Sequence, residues 1–329
     1  VPQMGIVGLA WGTVIGALLH IAVQIPALRR YQYRYSPQLA VRMPGVEEIA
    51  RLMGPRIVTL GTIQFADLFI IRLASALPVG STSGYFYAYA LMQFPETLFG
   101  TAIALVVFPT MAEQYNAGDM QGLRNTASRS LRIIWFLTFP AAAGLVLLGR
   151  PVINFLLQGG AFTAESAQIV YSVLVVFSIR VVSESTVEIA ARLFYAQHNT
   201  KVPMFAYIGW LVLDVALAYL FIDALGILAL AIASTVAFTF LAIILLKLNN
   251  DILGNLIDRD LALSFGRAVV ATIGMSVVIV GMSTFITQPL ILLAAGGLTG
   301  MVSYLILSIL LGGDEIPQLV RLLRARQGG

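Results

Sequence analysis

The chain contains no cysteine and only two histidines, His20 and His198, far apart in the sequence. Disulfides and thiolate metal sites are excluded, and neither imidazole has the neighbours of a ligand cluster, so no metal is expected. Walker, dinucleotide, HExxH and GxSxG motifs are also missing. ATP hydrolysis and nucleophilic catalysis therefore have no sequence basis, and neither a cofactor nor enzymatic activity is expected. Charge is scarce: Asp, Glu, Lys and Arg make up 11% of the 329 residues, against roughly 25% in soluble domains. The net charge of +4 is not gathered into one basic run, which argues against nucleic acid as a partner.

What remains is apolar. Hydrophobic residues make up 59% of the chain and mean hydropathy is +0.89. Repeated apolar runs of about 20 residues are long enough to cross a hydrocarbon core of about 30 Å. Backbone groups in lipid must be satisfied within their own segment, so the fold class is all-α, a polytopic transmembrane helical bundle. Nine spans are predicted at about 4–26, 51–77, 84–110, 129–149, 165–197, 202–222, 225–248, 263–286 and 289–312.

All basic residues except Arg72, Arg150, Arg180 and Arg192 fall in 27–56, 111–132, 198–202, 247–267 and the tail. Basic loops stay in the cytoplasm, which predicts a cytoplasmic C-terminus. Val1 would then lie outside with no charged leader before it, so a preceding part with further spans is expected. Pro26, Pro37 and Pro44 mark a linker. Pro95 and Pro140 are expected to interrupt their helices, and Gly8, Gly12, Gly16, Gly296 and Gly300 to allow close helix approach.

Chemistry concentrates in "SIRVVSESTVEIAARLFY", residues 178–195. A step of four advances about 40° around a helix, so Arg180, Glu184, Glu188 and Arg192 share one face. Arg180 with Glu184, and Glu188 with Arg192, are spaced to pair. An unpaired charge at the bilayer centre costs at least about 2.5–3.5 kcal/mol, so this face must look at protein or water. It is either a self-neutralising ladder or the polar wall of a cavity, with Arg180 open to an anionic head group and the carboxylates able to take a proton or cation. Asp67, Arg72, Glu96 and Asp214 are further intramembrane charges. Asp67 and Arg72 lie about 140° apart around their helix, so Arg72 is expected to pair with Glu184 or Glu96 instead.

Five stretches resemble the MurJ (MviN) family of the MOP exporter superfamily: "AVQIPALRR" at 22–30, "LMGPRIVTLGTIQFADLFI" at 52–70, "YFYAYALMQFPETLFGTAIALVVFPTMAE" at 85–113, "FPAAAGLVLLGRPVINFLLQGGAFTAESA" at 139–167 and "LFYAQHNTKVP" at 193–203. The resemblance implies fourteen helices in two lobes around a central cavity in the bacterial cytoplasmic membrane. The cargo it implies is lipid II, an undecaprenyl-pyrophosphate-linked peptidoglycan precursor. On that basis 1–26 is the last helix of a missing N-terminal lobe, 27–50 an interlobe linker and 51–248 the six-helix C-terminal lobe. Residues 249–312 form a two-helix extension holding the lipid tail in a groove between 263–286 and 289–312, and 313–329 a cytoplasmic tail. Where the family carries an Asp-Arg pair and a following Glu, this chain has Tyr89, Ala90 and Gln93. The expected cavity residues are Asp67, Arg72, Gln93, Glu96, Arg180, Glu184 and Glu188.

The functional expectation is flipping of the lipid-linked precursor by alternating access, with membrane lipid, the missing lobe and a coupling proton or cation as partners. The alternatives are export of another polyprenyl-linked glycan, a cation-coupled drug antiporter, and a scaffold that no longer transports. A glycan transferase is disfavoured, because the loops opposite the basic side are short and poor in acids and histidine.

Overall fold

A computed structural model describes residues 5–30, 44–157, 159 and 162–315. Among them nine helical spans are long and apolar enough to cross a membrane, the number expected. They are α1 (Gly5–Arg30), α2 (Pro44–Ala74), a compound span, α5 (Met120–Leu157), α6 (Ala164–Ala196), α7 (Lys201–Leu225), α8 (Ile227–Leu253), α9 (Arg259–Ser283) and α10 (Pro289–Leu310). The compound span joins α3 (Ser81–Pro95), a π turn (Glu96–Thr101) and α4 (Ala102–Asn116). Caps fall where the sequence supplies acceptors. Thr163 accepts from the Ser166 amide at 3.2 Å and Asp258 from the Leu261 amide at 2.7 Å, opening α6 and α9.

Several boundaries differ from expectation. α1 continues through Pro26 to Arg30, and α2 starts at Pro44, a first-turn position where the absent N–H of proline costs nothing. Of the expected linker, 27–30 and 44–50 are therefore helical, and 31–43 lie outside the described residues, as do 316–329 of the tail. α5 runs 38 residues without interruption through Pro140 and Pro151, about 57 Å at 1.5 Å per residue. Only Pro95 disturbs its helix, and it does so by widening the next turn.

The chain forms two compact units, 1–50 and 51–329. In the second, α6 is the axis and packs on α3, α5 and α8. Its N-terminal half enters an apolar cluster with Tyr85, Met92 and Ile153, and its C-terminal half enters two more, around Leu131 and Leu253 and around Trp210 and Leu241. Phe65, Leu68, Phe205, Leu220, Ile243, Val277 and Leu298 are exposed, as side chains meeting acyl chains should be. Three of the basic segments meet at one end. Asn116 contacts His198, Arg124 donates to the Leu253 carbonyl, and Arg132 pairs with Asp258 at 3.6 Å.

α9 and α10 close directly on each other. A Cβ at Gly274 would stand 2.4 Å from Leu307 Cδ1, and one at Gly300 2.8 Å from Ile279 Cδ1. Gly274→Val should therefore destabilise the protein by about 1–3 kcal/mol through overpacking, seen as a lower midpoint of thermal unfolding in detergent. An unchanged midpoint would mean the seam is not closed there.

Candidate functional site

Arg180 sits at the midpoint of the 33-residue α6, where a bare charge is least tolerable. The helix answers with its own next turn: Arg180 Nε donates to Glu184 Oε2 at 2.8 Å, Arg180 being buried and Glu184 half-buried. From α8, Ser234 Oγ accepts from Nη1 at 2.6 Å. The guanidinium lies over the Phe238 ring at 4.0 Å, with Tyr89 at 5.3 Å and Phe177 at 5.6 Å, attractive contacts for a desolvated cation. One turn further on, Glu188 pairs with Arg192. Both i,i+4 pairs inferred from the spacing are present.

The ladder also borders a cavity of about 120 Å³. Asp67 and Ile63 enter from α2, Tyr85 and Tyr89 from α3, Arg180, Glu184 and Glu188 from α6, Tyr207 and Trp210 from α7, and Ser234 and Phe238 from α8. Three carboxylates thus face one guanidinium, and that guanidinium is already held by Glu184 and Ser234. Just behind the wall, Asp214 is 2% exposed and its Oδ2 has no hydrogen-bond partner. Toward the end where the basic segments meet, Arg56 lies over the Tyr195 ring at 5.2 Å and is close enough to Arg192 for the two cations to repel.

Of the seven residues expected at the cavity, Asp67, Arg180, Glu184 and Glu188 line it; Arg72, Gln93 and Glu96 do not. Arg72 is exposed and pairs with neither Glu184 nor Glu96. The reason is rotational: with Asp67 turned to the cavity, a residue five further on points well away from it. Gln93 and Glu96 lie at the Pro95 break instead. The aromatic lining was not anticipated, although Tyr85 and Tyr89 stand four apart and share a face. Arg56 was read only as a loop charge.

Two apolar cavities, of about 310 and 720 Å³, adjoin along α5, with Phe99, Ala141, Gly144 and Leu148 lining both, and together make up an apolar groove region. α5 is common to both. α9 and α10 wall the smaller with Met275, Ile279, Gly300 and Met301, and α3 walls the larger with Ala90, Leu91 and Phe94. The smaller cavity is lined by α9 and α10, the helices between which a groove was expected, and by α5.

A family model described as "Lipid II flippase MurJ" matches residues 1–295. The chain belongs to the MurJ family. The MurJ family's "Probable lipid II flippase MurJ" from Bdellovibrio bacteriovorus is 32% identical over 73% of this chain and 46% of its own length. This chain spans about half the length of the curated MurJ relatives it matches. A solved structure, "Lipid II flippase MurJ, inward closed conformation", superposes with a TM-score of 0.75 at 22% identity, over 93% of this chain and 62% of that one. An outward-facing multidrug resistance MATE family transporter of the MOP superfamily gives 0.53 at 15% identity, over 84% and 67%. These likenesses establish the fold, that of a multi-pass membrane protein. At the positions where the MurJ resemblance places the Asp-Arg pair and Glu, Tyr89 offers its ring to Arg180, Ala90 lines the apolar groove, and Gln93 has a buried Oε1 with no partner.

Proposed function

We propose that this chain is the C-terminal lobe, with two further helices, of a flippase for lipid II in the bacterial cytoplasmic membrane, its basic segments and C-terminus cytoplasmic. The observation that carries this is the coexistence, in one bundle of the MurJ family, of a polar cavity and a separate apolar groove. A polyprenyl tail is soluble in lipid or in an apolar groove, but its pyrophosphate and sugars are not. A carrier for such an amphiphile must hold the two ends in different places. Rocking of this lobe against its counterpart then exposes the polar cavity to each side in turn.

Charge divides the polar part further. Carboxylates at Asp67, Glu184 and Glu188 offer acceptors to sugar hydroxyls and peptide amides but repel phosphate, while the neutral phenols of Tyr85 and Tyr89 can donate or accept. The cation suited to pyrophosphate is Arg56, stacked on Tyr195 beyond the cavity lining toward the basic segments, since Arg192 is already paired with Glu188. In a strain depleted of its own lipid II flippase, Arg56→Ala is expected to lose growth rescue at unchanged membrane abundance, with Arg56→Lys partly active. Full rescue by the alanine variant would remove Arg56 from the phosphate site.

A further inference from the structure

Pro95 has no N–H to continue the α3 ladder, and Glu96–Thr101 run in π register. The widened turn carries Glu96, 3% exposed. Its carboxylate accepts from the Thr101 hydroxyl at 3.3 Å to each oxygen and from the Thr97 hydroxyl at 3.5 Å, all long contacts. Among the described residues no basic side chain pairs with it. Its charged neighbours at longer range are Glu184, Arg180 and Arg192 on α6, with the Tyr89 phenol on α3. α4 and α5 also pack on the turn and add no charge to that set.

Other oxygens converge on the same spot. A Cβ at Gly100 would stand 2.5 Å from Ser185 Oγ and 2.6 Å from Glu96 Oε1, so both atoms point to the space under that glycine. Ser185, on α6, is fully buried, and its Oγ has no hydrogen-bond partner. Gln93, three residues before Glu96, has a buried Oε1 without a donor. Buried polar atoms left unpaired are costly and rare. Here an anion without a counter-ion and one unpaired oxygen face the same glycine, with a second unpaired oxygen three residues earlier in the chain.

We infer that the space under Gly100 is a site for one monovalent cation, a proton or an alkali ion, with Glu96 as its anionic ligand and Ser185 and Thr101 as neutral ones. A single carboxylate among hydroxyls offers too little charge for a divalent ion, and the described residues hold no cluster of three or more acidic, histidine or cysteine side chains. Glu184 and Glu188, which the sequence suggested for this role, already face arginines. Glu96 forms no ion pair among the described residues. The inference concerns the ion and not the cargo, so its failure leaves the flippase reading standing, and the reverse.

Infrared difference spectroscopy on the full protein in lipid tests it, with pH titrated in N-methylglucamine chloride or in sodium chloride. Wild type should show the carbonyl band of a protonated carboxyl that disappears as the pH is raised, and Glu96→Gln should lose it. Saturable removal of the band by sodium identifies the alkali ion as an occupant; a band indifferent to sodium identifies the proton alone. Should Glu96→Gln fail to fold, Ser185→Ala keeps the acid and should shift the pH at which the band disappears. A wild-type spectrum without a Glu96-dependent band and without a saturable sodium response overturns the site, as does, where Glu96→Gln does not fold, a Ser185→Ala titration identical to wild type.

Discussion

Arg180→Ala should lower the unfolding free energy by about 3–5 kcal/mol, the cost of leaving one member of a buried ion pair without its partner. Three losses add up. Glu184 keeps its charge but loses its 2.8 Å partner, Ser234 loses a donor, and three aromatic rings lose the cation packed among them. The double variant Arg180→Met with Glu184→Gln should recover most of the loss, because it fills the same volume and strands no charge. That rescue separates a structural cation from a ligand for substrate. If Arg180 were held free for a phosphate, alanine would leave stability within about 0.5 kcal/mol, as removal of an uncoupled side chain usually does. Denaturant titration in mixed micelles distinguishes the two outcomes.

Gly144→Trp should abolish rescue of a flippase-depleted strain while leaving abundance and thermal stability unchanged. Gly144 lines both apolar cavities, and a Cβ there meets no atom within 4 Å, so a side chain can leave the backbone without strain. Tryptophan brings about 150–250 Å² of apolar surface into the groove and stops up the path assigned to the lipid tail. Gly144→Ala, which adds one methyl group to open space, should remain active. If the tryptophan variant supports growth like the wild type, the tail travels elsewhere.

The nine spans were legible because each crossing leaves a run of apolar residues of the right length, and length survives ignorance of packing. The two α6 pairs were legible because they are internal to one helix. What required a third dimension was missed. The 140° offset from Asp67 was used to send Arg72 to Glu184 or Glu96, but the same rotation, with Asp67 at the cavity, turns Arg72 away from both. Glu96 was placed in the cavity as an intramembrane charge, but it opens the π turn away from the cavity lining, and Ser185, which shares its space, lies on another helix. Gly300 of α10 was read as permitting close approach, and a Cβ there would stand 2.8 Å from Ile279 Cδ1 of α9, whereas a Cβ at Gly12 or Gly16, read the same way, would meet no atom within 4 Å. The part of α5 in the smaller cavity, Pro140, Ala141 and Gly144 beside α9 and α10, lay outside what helix-internal spacing could supply.

Site-specific photo-crosslinking tests the separation of head and tail most directly. A benzophenone amino acid would replace Ile63 at the polar cavity, Gly144 in the apolar groove, or Leu68, which is exposed on α2. The account predicts capture of lipid II from positions 63 and 144 but not 68, and capture of a polyprenyl phosphate lacking the sugars from 144 only. Equal capture from all three positions, or none from 63, would contradict it.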